Sequence, residues 1–98
     1  MEAIALLRTD QAGRYLKMLC NHFARHLEVT MEDHFARVEF PFGQCAMSAN
    51  DQRLELIATA ETKGDLARLE EVLGNHLERY AFRENPEVIW KRASAVRL

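Results

Sequence analysis

The chain has 98 residues, the length of one small domain, and we expect residues 1–98 to fold as a single domain. Its 13 basic and 15 acidic residues leave a formal net charge of -2, which argues against a nucleic-acid binder or a polybasic membrane binder. A hydrophobic content of 48% with only four glycines and two prolines is typical of a globular domain and excludes a disordered linker.

The sequence also predicts where the protein works. A secretory signal needs a basic start and a long apolar run, whereas this N-terminus carries Glu2 and only a short apolar run. No apolar stretch approaches the roughly 20 residues that span a bilayer. Two cysteines, Cys20 and Cys45, are too few for a disulfide framework. We therefore expect a reduced, cytoplasmic protein that does not enter membranes.

The first elements in chain order are a strand and a long amphipathic helix. Ala3 to Leu7 predicts the strand, and the helix follows Thr9, because Thr9 or Asp10 can accept hydrogen bonds from first-turn amides. The apolar residues of the helix fall in an arc about 140° wide. They are Tyr15, Leu16, Leu19, Cys20, Phe23 and Leu27.

The middle of the chain predicts a meander of strands. His34 to Phe40 alternates apolar and polar residues, and Cys45 to Ala49 and Arg53 to Ala60 do the same. Pro41 to Gln44 is typical of a turn between the first two. Glu28 to Glu32 is a weaker strand candidate.

A second helix and a last strand complete the pattern. Thr62 and Asp65 resemble a capping box at the start of the helix, and Val88 to Trp90 predicts the strand. The buried face of the helix is Leu66, Leu69, Val72, Leu73, Leu77 and Tyr80. This order, β-α-β-β-β-β-α-β, predicts a two-layer α+β domain with both long helices on one face of a mostly antiparallel, curved sheet.

Histidines are the best candidates for a site. His22 and His26 are four apart on the predicted first helix and flank Tyr15, so both rings can point the same way and bind one metal ion. His76, on the buried arc of the second helix, is the candidate third ligand. The alternative is structural: His22 and His26 are boundary residues, and His76 is a core histidine bonded to Tyr15 or to a backbone carbonyl.

Other residues can likewise be interpreted as functional or as structural. Arg83 can form an anion clamp or offset the partial charge at a helix C-terminus. Gly74 lies inside the second helix, where it can permit close contact with another helix or subunit. Cys20 and Cys45 are expected to be small buried hydrophobic residues, because neither has a zinc-site or redox spacing.

The chain lacks a Gly-x-Gly-x-x-Gly loop, a Walker loop, a Gly-x-Ser-x-Gly elbow and a Cys-x-x-Cys pair. These absences favour a binding module over an enzyme, and they identify no cofactor. A metal protein or small enzyme using His22, His26 and His76 is one alternative. A homodimeric structural protein, joined through the basic face of the first helix and Gly74, is another.

Several blocks of the chain match one family pattern from about Ala3 to Ala95. They read RYL at 14–16, LCxHFxxH at 19–26, FPFGxC at 40–45 and LExVxxxHLERxAFRE at 69–84, followed by Trp90. The chain thereby resembles a bacterial family of about 100 residues known as a domain of unknown function. His22, His26, His76 and Arg83 lie inside these blocks.

The resemblance adds a biological context and no catalytic residues. Relatives of this kind are sometimes fused to, or encoded beside, siderophore-interacting flavin reductases. It therefore implies an accessory role in iron-siderophore metabolism, with a flavin-dependent siderophore reductase as partner.

Overall fold

The structure is a computed structural model that describes residues 1–92. Six strands, two long helices and one short 3-10 helix follow each other in these residues. They are β1 (Glu2–Arg8), α1 (Ala12–Phe23), β2 (Glu28–Glu32), β3 (Phe35–Phe40), β4 (Gly43–Ala49), β5 (Arg53–Thr59), α2 (Lys63–Tyr80), the 3-10 helix (Phe82–Glu84) and β6 (Trp90–Arg92). The predicted element order is confirmed, including the weaker β2. The last residues of the family pattern, 93–95, and the rest of the predicted 1–98 domain lie outside the described residues.

The sheet has the order β2-β3-β4-β5-β1-β6, and every neighbouring pair is antiparallel. The first strand therefore lies between β5 and β6, with Ala5 opposite both Leu56 and Trp90. Alternate residues of β1, β3, β4 and β5 face the helices, and most of these are small or aliphatic and nearly fully buried. The predicted α+β class, with both helices covering one side of an antiparallel sheet, is confirmed.

A tight corner joins β3 to β4. Phe40 pairs with Gly43, so only Pro41 and Phe42 form the turn. Gly43 has φ +155, and a Cβ there would lie 2.5 Å from the carbonyl oxygen of Thr59. This corner requires glycine because the backbone of β5 approaches it directly.

The helices form where the pattern predicts them, and their caps differ. The Thr62 hydroxyl accepts a hydrogen bond from the Asp65 amide at 3.1 Å, which confirms the predicted cap of α2. Before α1, the buried Thr9 hydroxyl accepts from the Gln11 amide at 3.0 Å. Gln11 is the N-cap residue and makes no capping hydrogen bond with its side chain, so the predicted capping of first-turn amides by Thr9 or Asp10 is wrong. The leucine faces of both helices are buried against the sheet. No helix in residues 1–92 is long and apolar enough to cross a membrane.

Two element boundaries correct the sequence predictions. Helix α1 ends at Phe23 instead of continuing to Leu27, because the chain closes into a tight turn at residues 24–26 before entering β2. Strand β6 begins at Trp90 and not at Val88, since the Val88 amide donates to the Glu78 carboxylate of α2 at 3.2 Å. Val88 is thereby attached to the helix, and pairing with β1 starts two residues later.

The proposed role of Gly74 in a contact between subunits is also wrong. Gly74 is buried, and the atoms nearest to its missing Cβ belong to Trp90 and Val88 of the same chain. The glycine accommodates the C-terminal strand against α2 and is not available to a partner.

Candidate histidine site between the two helices

His22 occupies the last turn of α1, where the helix leaves the sheet. Its ring is half-buried, because the next residue, Phe23, packs into the core and holds this turn against α2. The Arg25 amide donates to the His22 carbonyl at 3.4 Å, a bond typical of a tightening helix end. Helix α1 therefore ends one residue after His22.

His76 lies on the neighbouring helix α2 and is likewise half-buried. Its Nδ1 lies 2.6 Å from the carbonyl oxygen of Val72, one turn earlier. A carbonyl only accepts, so Nδ1 carries the proton, and the lone pair of the neutral ring is on Nε2. The backbone-carbonyl partner predicted for His76 is confirmed, whereas Tyr15 is bonded elsewhere.

The two rings meet between the helices. The ring centroids of His22 and His76, hereafter the histidine pair, are 4.5 Å apart with an interplanar angle of 43°. Phe23 lies 5.2 Å from both rings, and Tyr80 lies 6.2 Å from His22 and 6.4 Å from His76. Aromatic side chains therefore enclose one side of the histidine pair.

The surroundings keep His22 neutral. Partial burial, followed by the positive charges that His76, Arg25 and Arg79 can carry, lowers the pKa of His22 below its ordinary value of 6.5. His26 adds a smaller effect of the same sign. At pH 7 the ring is therefore an uncharged imidazole, the form that binds metal ions.

The structure does not bring His26 into this contact. His26 lies in the exposed turn after α1, so the predicted sharing of one helical face with His22 is wrong. His34 is exposed at the turn between β2 and β3, where it lies near Arg14 and Lys17 of α1. Within residues 1–92, no three side chains of His, Cys, Asp or Glu gather closely enough to hold a metal ion.

Tyr15 and Arg83 also lie apart from the histidine pair. The Tyr15 hydroxyl donates to the Glu84 carboxylate, which accepts a second bond from the Thr9 hydroxyl at 2.9 Å. Burial of Tyr15, together with this carboxylate, raises its pKa above 10. Arg83 is exposed, with its guanidinium 5.9 Å from the Phe82 ring centroid.

Both cysteines are buried free thiols, as predicted. Burial raises the pKa of Cys20, and it raises the pKa of Cys45 to about 12. Each therefore remains protonated at neutral pH and packs as a small apolar residue.

Tyr80 and Glu84 have roles that the sequence did not assign. Tyr80 follows His76 by four residues, a spacing that places two side chains on the same side of a helix and could have identified it. Glu84 has no comparable signal, because it meets Tyr15 and Thr9 only after the 3-10 helix folds back on β1 and α1.

Comparisons with known proteins agree with this fold. The model of DUF2218, described as an uncharacterized protein conserved in bacteria, matches residues 4–91. The NMR structure of PA4090 from Pseudomonas aeruginosa is similar with a TM-score of 0.81 and 26% identity, covering 96% of this chain and 98% of that one. Among curated proteins, none is significantly similar to this chain.

Proposed function

This chain belongs to the DUF2218 family of uncharacterized bacterial proteins, and we propose that it is a small binding module whose histidine pair holds a divalent transition-metal ion. The observation that carries the proposal is the 4.5 Å separation of the His22 and His76 rings. Imidazole nitrogens that bind one ion at about 2.0–2.1 Å place their ring centroids about 4.5 Å apart when the two bonds meet at about 90°, and about 5.2 Å apart at the tetrahedral angle. The rings therefore have the spacing of two ligands of one ion.

The lowered pKa of His22 and the hydrogen bond of His76 support the same function. The lowered pKa of His22 means that an ion competes with few protons at pH 7. The bond from His76 Nδ1 to the Val72 carbonyl leaves Nε2 as its ligand atom, and such a second-layer hydrogen bond orients metal-bound histidines in many proteins. Both rings are thus prepared to bind before the ion arrives.

Two imidazoles leave part of the coordination sphere of the ion open. Water, or the donor atoms of a small chelator, can complete it. Imidazole nitrogen suits Zn²⁺, Cu²⁺ and Ni²⁺, so these ions and their complexes are the expected ligands. This agrees with a binding module, because such a module needs no nucleophile or acid-base pair.

The test is a titration of the metal-free full chain with Zn²⁺ and with Ni²⁺ at pH 7.5, followed by calorimetry and by NMR of the imidazole signals. We expect His22→Ala and His76→Ala each to weaken binding at least about tenfold, because one of two ligands is lost. His26→Ala is the matched control and should bind as the parent does. Absence of binding, or an equal loss in the control, would contradict the proposal.

The pH dependence gives a second readout. Binding should weaken as pH falls through the lowered pKa of His22, because a proton then occupies its ligand nitrogen. A pH-independent affinity would point to carboxylate ligands instead.

We propose in addition that the partner is a flavin-dependent siderophore reductase and that both work in the cytoplasm. The support is the association implied by the family resemblance, together with a site suited to metal complexes. Calorimetry with a purified reductase, with and without its ferric chelate, tests this. Binding that disappears in His22→Ala supports it, and absence of binding in both conditions contradicts it.

A further inference from the structure

Tyr80 lies beside the histidine pair and carries a third group able to bind the same ion. It follows His76 by four residues on α2. Helical side chains lean toward the N-terminus of their helix, so the phenol extends along α2 toward the His76 ring. The ring centroid of Tyr80 lies 6.2 Å from that of His22 and 6.4 Å from that of His76. Tyr80 is therefore nearly equidistant from the two imidazoles, as expected for a third ligand of one ion.

These distances are those of a phenolate ligand. An ion about 2.0–2.1 Å from an imidazole nitrogen lies about 3.2 Å from the ring centroid, and an ion about 2.0 Å from a phenolate oxygen lies about 4.2 Å from the phenol centroid. The two kinds of centroid are then about 6.1 Å apart when their directions from the ion meet at the tetrahedral angle, and about 6.4 Å apart at 120°. The observed distances of 6.2 and 6.4 Å fall in this interval.

The three rings also leave room for a fourth ligand. The 4.5 Å between His22 and His76 corresponds to an angle of about 90° at the ion, and the distances to Tyr80 correspond to about 110° and 120°. Three directions at these angles form a pyramid with one open side. Water or a donor atom of a chelator can bind there, as at metal sites with three protein ligands and an open position.

The charges around the histidine pair favour an anionic third ligand. Burial lowers the pKa of His22 most, and the charges that lower it further are all positive, those of Arg25 and Arg79 permanently. Two neutral imidazoles do not offset these charges when a dication binds. A phenolate places one negative charge directly on the ion, where its attraction is strongest.

We propose that Tyr80 binds the metal ion as a phenolate together with His22 and His76, a role that rests on the proposed function of the histidine pair. When the ion binds, the phenol O–H bond breaks and the proton passes to the buffer. The electron pair of that bond stays on the oxygen, which forms the new metal–oxygen bond, and nothing is oxidised or reduced. The site then offers two nitrogens and one oxygen, a donor set that binds Cu²⁺ more strongly than Ni²⁺ or Zn²⁺.

The test is the visible absorption spectrum of the full chain titrated with Cu²⁺ at pH 7.5. A phenolate bound to Cu²⁺ gives an intense charge-transfer band that imidazole ligands do not give. The chain has only two tyrosines, so single variants identify the source of the band. We expect the band in the parent and in the matched control Tyr15→Phe, because the Tyr15 hydroxyl is bonded to Glu84. The band should be absent in Tyr80→Phe.

The affinity of the same variant separates metal binding from packing. Tyr80→Phe keeps the aromatic ring and loses only the hydroxyl, so its far-UV circular dichroism should match that of the parent. By calorimetry it should bind Cu²⁺ at least about tenfold more weakly and release about one proton fewer to the buffer. Cu²⁺ binding that requires His22 and His76 but gives no band, or an unchanged affinity in Tyr80→Phe, overturns the role of Tyr80 and leaves the proposed function standing. Absence of Cu²⁺ binding to the parent overturns both.

Discussion

The two faces of the sheet are made by the same strands and yet present opposite surfaces. Under the helices, Leu54 and Leu56 are at most 1% exposed, whereas Leu6 and Ile89, on the face of the sheet away from the helices, are 43% and 61% exposed. One set of alternating residues closes a core, and the other set mixes apolar and charged residues. The comparison teaches that the contribution of an apolar strand residue to the stability of the fold depends more on the face of the sheet to which it points than on its hydropathy.

Truncating one leucine on each face tests the comparison most directly. Leu56→Ala should lower the free energy of unfolding by about 3 kcal/mol, because it leaves a cavity in a packed core. Leu6→Ala, measured by urea denaturation in dilute solution, should cost less than about 1 kcal/mol. Equal losses would mean that the face of the sheet away from the helices is already packed within the monomer.

The corner at Gly43 tests how closely the covered side of the sheet is packed. Gly43→Ala should destabilise the protein by about 3 kcal/mol, because the new methyl group meets the Thr59 carbonyl and the side chain of Leu69 of α2. Gly64→Ala is the matched control, since nothing lies within 4 Å of its Cβ position. Thermal unfolding of both variants measures the difference, and a neutral Gly43→Ala would mean that the corner can open.

Much of this architecture follows from residue patterns. Alternation in β3 to β5 and the leucine spacing in α2 predict the meander and its helix cover, since burial enforces those periods. The end of α1 is harder to predict from the sequence. Leu27 continues the apolar spacing of the helix, although the chain has already turned toward β2. The spacing of apolar residues along a helix does not show where the next strand begins.

The candidate site was predictable only in part for a related reason. The sequence predicts both His22 and His76 as site residues, but their contact depends on two helices lying side by side, which no local spacing encodes. The prediction of His26 depends on a longer α1 than the structure has. The bond between Tyr15 and Glu84 joins residues 69 positions apart and has no local signature.

The hydrogen bond between Tyr15 and Glu84 is the basis of the next prediction about stability. Tyr15→Phe should cost about 1 to 2 kcal/mol, because a buried hydroxyl no longer donates to a carboxylate. The raised pKa of Tyr15 adds a pH signature. Its stabilising contribution is complete below pH 10 and is lost as pH rises through the folded-state pKa.

Denaturation at pH 8 and at pH 10.5 separates these effects. The parent should lose more stability between the two pH values than Tyr15→Phe does, since the variant has no phenol to ionise at this position. An equal loss in both proteins would show that Tyr15 does not contribute to the alkaline instability.

Gly74 offers the smallest expected effect and the sharpest contrast with Gly43. An ideal Cβ at Gly74 lies 3.4 Å from the indole nitrogen of Trp90 and 3.9 Å from Val88, which are ordinary contact distances. Alanine also favours a helix interior by about 1 kcal/mol relative to glycine. Gly74→Ala should therefore raise stability by up to about 1 kcal/mol, measured by thermal unfolding with Trp90 fluorescence as a reporter of packing. A loss of stability would show that Trp90 cannot yield by a few tenths of an ångström, and that the covered side is as tightly packed beside β6 as it is at the Gly43 corner.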